Sequence, residues 1–288
     1  MSVHGPQVTS AHRWLSGAQN RDGGWGYQRG NLSRLEPTCW ALLALGSDVD
    51  TGALTRWPTR DGLLLERTGG SPNYAFHGVG LLTLRALQIE HVETNASAVM
   101  ALQRVKGDAL PASRINRQDN SLQAWSWIAD TFSWVEPTAW CLLALKQWAR
   151  AGQSIDHGRV ETAERLLVDR CCAAGGWNYG NANMLNQELK AFVPTTALAL
   201  LSLQDRPALP EVVRSLDFLE SHATEERSGT ALSLALMALT AFQRPTAAVR
   251  DVLIDQLATT VSLGKPSAVA MSLYALNHEG NGHAAVAL

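Results

Sequence analysis

Two glutamates occupy the same place in a ten-residue stretch that the chain carries twice. Residues 36–45 read EPTCWALLAL and residues 136–145 read EPTAWCLLAL, identical at eight of ten positions and offset by 100 residues. A looser third copy, VPTTALALLSL, occupies residues 193–203. Proline suits a first helical position, where its missing N–H has no partner to lose. That places Glu36 and Glu136 at the cap, against the positive end of the helix dipole. A carboxyl there either ionises and steadies the helix or, withdrawn from water, keeps its proton and serves as a general acid. Asp130 is the one further acid set among aromatic residues, and His77 stands near the start of another apolar segment. These four, Glu36, Glu136, Asp130 and His77, are the candidate catalytic groups. Ten tryptophans are a second signal. Trp40 and Trp140 repeat at the 100-residue offset, Trp134 and Trp127 lie beside Asp130 in sequence, and Tyr74 and Phe76 beside His77. Rings facing a dry pocket attract a cation by ~0.5–2 kcal/mol each, so these six are the expected substrate-binding residues.

The stretches that hold these residues are apolar on every side, the pattern of a buried helix. Each follows an amphipathic segment. The pairs are 8–19 with the helix from 37, a short segment at 60–67 with 73–87, and 95–105 with the helix from 137. Then come 159–172 with the helix from 194, 210–222 with 229–242, and 246–260 with 266–276. No segment alternates as a strand does. Self-similarity over a long period marks a repeat architecture. Six hairpins of this kind close into an inner ring of apolar helices inside an outer ring of amphipathic ones, one domain over residues 1–288. Inner helices of such a ring point the same way, so Glu36, His77 and Glu136 should meet at one mouth. Arg29, Arg34, Arg117 and Lys190 lie in loops able to reach it.

Composition narrows the function. Apolar residues make up 46% and charged residues 17%, which favours a large core over disorder. A net charge of −2 gives no electrostatic footprint for nucleic acid. The four cysteines have no zinc spacing, and a reducing, cytoplasmic setting is expected. The leading MSVHGPQ has no signal-peptide character, and no run reaches the ~18 apolar residues of a membrane span. Peripheral membrane contact and oligomeric state stay open. Serine triads, Walker loops and HExxH are absent.

Residues 14–26, WLSGAQNRDGGWG, resemble a motif of the terpenoid cyclase and protein prenyltransferase superfamily: an aromatic-Leu pair, a Gln, then Gly-x-Trp. Here these are Trp14, Leu15, Gln19, Gly24 and Trp25, with a degenerate copy at Trp177. The resemblance implies an all-α (α/α)6 toroid and structural roles for Gln19 and Trp25; the tight turn also makes Asp22 a turn residue. Triterpene and class II diterpene cyclases carry Asp-x-Asp-Asp-Thr-Ala at an inner-helix start, and its proton-donating Asp falls on Glu36 and, by repeat, on Glu136. Arg34 and Pro37 stand where the flanking acids would be. In prenyltransferases an Asp, a Cys and a His hold zinc; Cys39 and His77 match and the Asp does not. The expected function is therefore terpenoid cyclase-like, an acid-initiated cyclisation or isomerisation of an isoprenoid or other apolar chain in the central cavity, with no cofactor. Two alternatives stand beside it: a non-catalytic lipid-binding or protein-interaction module, and a zinc-dependent prenyltransferase-like enzyme.

Overall fold

The structure is a computed structural model that describes residues 5–92 and 94–288; the first four residues of the leading MSVHGPQ lie outside it. Twelve α-helices are present among the described residues. They are α1 (Pro6–Ser16), α2 (Leu35–Leu45), α3 (Gly52–Thr55), α4 (Tyr74–Ala86), α5 (Asn95–Arg104) and α6 (Val135–Arg150). The second six are α7 (His157–Asp169), α8 (Val193–Ser202), α9 (Pro210–His222), α10 (Gly229–Ala241), α11 (Ala247–Ser262) and α12 (Pro266–His278). Even-numbered helices are almost wholly buried, whereas α1, α5, α7, α9 and α11 bury a few residues each. The apolar runs thus sit inside, as their lack of a polar face requires.

The even helices pack in a closed neighbour order: α2 on α4, α4 on α6, α6 on α8, α8 on α10, α10 on α12, and α12 on α2. Several contacts show that neighbours run in the same direction. The Ser267 hydroxyl, second residue of α12, donates to Glu36, second residue of α2. Gly78 of α4 lies against the Trp140 backbone of α6 so closely that a Cβ would come within 3.1 Å. Near the other end, Lys146 of α6 donates to the Ser202 carbonyl of α8 at 2.9 Å.

Two local expectations change. Residues 60–67 are not a helix. Thr59–Arg60 (β1) and Leu63–Leu64 (β2) form a two-stranded hairpin, and the helical element before α4 is the four-residue α3. Asp61 and Gly62 turn that hairpin with φ of 54° and 83°, which the α-region cannot supply. A second small hairpin pairs β3 (Asn183–Met184) with β4 (Gln187–Glu188). Both were illegible as strands because two residues cannot display an alternation. The other change concerns the helix starts. α2 begins at Leu35 and α6 at Val135, so Glu36 and Glu136 lie one residue inside the first turn and the prolines follow them.

One device holds each repeat together, three times over. The Trp25 indole N–H donates to the Leu15 carbonyl of α1 at 2.9 Å, Trp125 to Leu102 of α5 at 3.0 Å, and Trp177 to Leu167 of α7 at 2.6 Å. The backbone N–H of each Trp donates to a threonine on the fourth residue of the next inner helix, Thr38, Thr138 or Thr196. Each indole thus ties the end of an outer helix, where carbonyls lack helical partners, to the start of an inner one. All three rings are fully buried. Asp22 accepts from Gly24 N–H and Ser33, and Gln19 donates to the Gly23 carbonyl, so both brace the turn. Trp125→Phe removes the donor and leaves a buried carbonyl unpaired, which costs about 1–3 kcal/mol. Trp25→Phe and Trp177→Phe should cost less in urea unfolding, because the Leu15 carbonyl keeps the Ala18 N–H and the Leu167 carbonyl keeps the Arg170 N–H.

Candidate functional site at the inner-helix N-termini

In five of the six even-numbered helices the second residue stays partly exposed; Ala75 of α4 is buried. Glu36, Glu136, Pro194, Thr230 and Ser267 all hold this position and all keep partial exposure, while the residues that follow them in α2, α6 and α8 are buried. Glu36 and Glu136 nevertheless sit deep. Burial pushes the Glu36 carboxyl up to about 7; the Ser267 hydroxyl pulls it down and the charge of Glu136 pushes it up further. Burial likewise raises Glu136 to about 7, against a hydrogen bond from Trp140. A group that is deep and yet reached by solvent faces a recess. The Glu36 carboxyl on α2 senses that of Glu136 on α6, although α4 lies between their helices in the neighbour order.

Beneath them the ring is filled. Trp40 and Trp140 meet edge to face, centroids 5.7 Å apart, and Tyr274 of α12 closes on Trp40 at 5.8 Å. Trp40 is 2% exposed and Trp140 5%. The opposite end is covered by residues 282–288: Gln147 donates to the Ala287 carbonyl, Gln204 to that of Val286, and the Tyr274 hydroxyl accepts from Ala285 N–H. The expectation that Trp40 and Trp140 wall an open central cavity therefore changes. They pack against one another, indole to indole, from the non-neighbouring helices α2 and α6. Tyr74 is also buried, with its backbone N–H donating to the Trp127 carbonyl.

The rim is aromatic. Phe76 meets Trp127 edge to face at 5.9 Å, Phe132 stacks on Trp134 at 4.8 Å, and Tyr179 lies 5.4 Å from Phe192. Phe76, Trp127 and Trp134 are half-buried. Arg34 sits over the Tyr27 ring at 5.8 Å and pairs with Glu66 at 2.8 Å. Tyr27, Trp127 and Tyr179 each come two residues after a clamping tryptophan. The 100-residue offset relates Trp25 to Trp125 and Tyr27 to Trp127, a signal in the sequence for both the clamp and the ring beside it.

Two candidate groups lie elsewhere. His77 is wholly buried and points outward: its Nδ1 accepts from Leu64 N–H at 3.0 Å and its Nε2 donates to the Ala98 carbonyl of α5 at 3.0 Å. Burial lowers its pKa to about 4. A neutral imidazole with both nitrogens engaged by backbone locks α4 to the outer layer and has none free for metal or substrate. Cys39 is buried with its thiol pushed up to about 12, and among the described residues no three His, Cys, Asp or Glu side chains gather as a metal-binding group. Asp130 is exposed at a loop tip with φ of 58°; burial raises the Tyr74 phenol, and the charge of Asp130 adds to that. It belongs to the rim.

No protein-family model matches the chain, and no curated protein matches it. No helix among the described residues is long and apolar enough to cross a membrane.

Proposed function

We propose that the closed order of even helices is an (α/α)6 toroid of six hairpins, one domain in extent, related to the terpenoid cyclase and prenyltransferase superfamily. Its function in this reading is acid–base chemistry at the open mouth, with Glu36 and Glu136 exchanging protons with an isoprenoid-like or other apolar substrate. The observation that carries it is the pair of deep carboxyls with pKa values near 7. At neutral pH such a pair holds about one proton, so one member can donate while the other accepts. Isomerisation suits this pair better than cyclisation. A carboxyl of pKa 7 is a weak acid for an unactivated alkene, and the Trp40–Trp140–Tyr274 plug leaves no room for a long folded chain in the lumen. The aromatic rim would hold the apolar part and shield developing positive charge. The setting is the cytoplasm, where four free thiols persist.

The filled lumen favours a second reading, a binding module that takes an apolar ligand at the rim without turning it over. A panel of isoprenoid alcohols and diphosphates, assayed by mass spectrometry for products and by tryptophan quenching for binding, separates the two. Under the first reading Glu36→Gln and Glu136→Gln each cut turnover by roughly 10²–10⁴-fold and retain binding. Binding without turnover by the unmodified protein favours the module. Turnover unchanged in both variants removes the acid assignment.

A further inference from the structure

Residues 282–288, which close the end of the ring opposite the mouth, are held as a ligand is held in a site. The segment makes one turn: the N–H groups of Val286 and Ala287 both donate to the His283 carbonyl, at 2.7 and 2.9 Å. A single turn leaves its last carbonyls without helical partners. Side chains from the ends of inner helices take up that backbone. Gln147 of α6 donates to the carbonyls of Ala284 and Ala287, at 3.2 and 2.9 Å. Gln204, just past α8, donates to the Val286 carbonyl at 2.6 Å and accepts from Leu288 N–H at 3.0 Å. The Tyr274 hydroxyl of α12 accepts from Ala285 N–H at 2.8 Å, and the His283 Nε2 donates to the Ala275 carbonyl at 2.9 Å. Only His283, Ala285 and Val286 of the segment are buried, so its apolar grip is small. The fit is also incomplete. Gln147 is 2% exposed, and its Oε1 is buried with no donor. A buried acceptor without a donor is uncommon and costly. Beyond His283 the segment has no side-chain donor to offer it.

We propose that this end of the ring is a peptide-binding site, filled in cis by residues 282–288, which accepts in their place a single-turn segment of small apolar residues from a partner protein. The bonds from Gln147, Gln204 and Tyr274 go to main-chain groups, so the site selects a backbone turn with small side chains more than a particular sequence. A short tether gives the chain's own segment an effective concentration in the mM range. The partner must therefore bind better than residues 282–288 do, and a side-chain donor that reaches Gln147 Oε1 supplies the difference. Elements that open with little loss of apolar contact do so ahead of global unfolding, which gives the partner its access. The proposal concerns the end away from Glu36 and Glu136 and does not rest on the acid–base reading.

Two measurements on the full chain test it. In native-state hydrogen exchange of the unmodified chain, the Val286 and Ala287 amides should exchange about a hundredfold or more faster than those of Leu143 in α6 and Leu200 in α8. The second is fluorescence anisotropy with a labelled peptide of residues 282–288. Ala285→Asp places a carboxylate at a wholly buried position and drives the chain's own segment out. That variant should bind the peptide saturably, about tenfold or more tighter than the unmodified chain, and adding Gln204→Ala should weaken it about tenfold. Among peptides carrying Ala284→Ser, Ala285→Ser or Ala287→Ser, one should bind about tenfold tighter than the parent by serving Gln147 Oε1. Exchange as slow as in α6, no peptide binding to a folded Ala285→Asp chain, binding that survives Gln204→Ala, or no tighter binder in the panel overturns the proposal. Dimerisation of the unmodified chain that Gln204→Ala abolishes overturns it in favour of a second copy as the occupant. If Ala285→Asp fails to fold, the exchange rates decide.

Discussion

Lys146→Met lowers stability by about 3 kcal/mol or more. Lys146 is the one charged residue among the buried residues of α6, and is 7% exposed. Its ammonium is 2.6 Å from Glu164 of α7, 2.6 Å from Asp205 and 2.9 Å from the Ser202 carbonyl at the end of α8. Three acceptors satisfy its three protons. Replacing the cation with a thioether of similar length keeps most of the packing and strands Glu164, which is 12% exposed. Arg206, 2.9 Å from the other Glu164 oxygen, softens the loss but sits on the solvent side. Asp205 can turn to water. The cost therefore falls towards the lower part of the range for breaking a buried pair. Urea unfolding at neutral pH measures it, and a change below about 1 kcal/mol, the size of a surface ion pair, would show that the network contributes little. Glu164→Gln together with Lys146→Met should recover part of the loss, since it removes the stranded charge.

Glu36→Gln combined with Glu136→Gln flattens the pH dependence of stability between pH 5 and 8. Both carboxyls are raised from 4.5 to about 7, so the folded chain holds these protons more tightly than the unfolded one. The stability they contribute is fully present below about 4.5 and is lost as pH rises through 7. Each pKa unit corresponds to about 1.4 kcal/mol. Allowing for the part of each side chain that meets solvent, the unmodified chain loses on the order of 1–2 kcal/mol per group over this interval. An amide keeps the shape, still accepts from Ser267, and carries no charge to desolvate. The double variant should then match the unmodified chain near pH 5 and exceed it at pH 8. Melting temperatures across this range check the sign; parallel curves would mean that the carboxyls titrate normally and lack the proton affinity on which the acid–base reading depends.

The apolar runs and the 100-residue repeat carried most of the architecture. A helix with no polar face must be buried, so the inner layer was legible in EPTCWALLAL and its copies, and amphipathic segments could only lie outside. Glu36 and Glu136 were legible for the same reason, since the repeat marks them without regard to fold. The third copy sits one residue away from the register that its proline suggests. Thr196, on the fourth residue of its helix, answers to Thr38 and Thr138, and Pro194, not Val193, holds the place of Glu36. A proline tolerated at more than one position of the first turn cannot set that register.

The sequence by itself determined which segments are buried and which polar residues recur, because burial follows local hydrophobic pattern and recurrence is visible without coordinates. Whether an aromatic residue lines a space or fills it was decided only by the tertiary structure. Trp40, Trp140 and Tyr274 are distant in sequence and meet only because α2, α6 and α12 are brought together. The fate of His77 was settled in the same way. Its two hydrogen-bond partners, Leu64 and Ala98, are backbone groups on other elements, and nothing in their side chains announces that they would meet it. The raised proton affinity of Glu36 and Glu136 comes from burial at the starts of α2 and α6, which depends on what packs around them and not on local pattern.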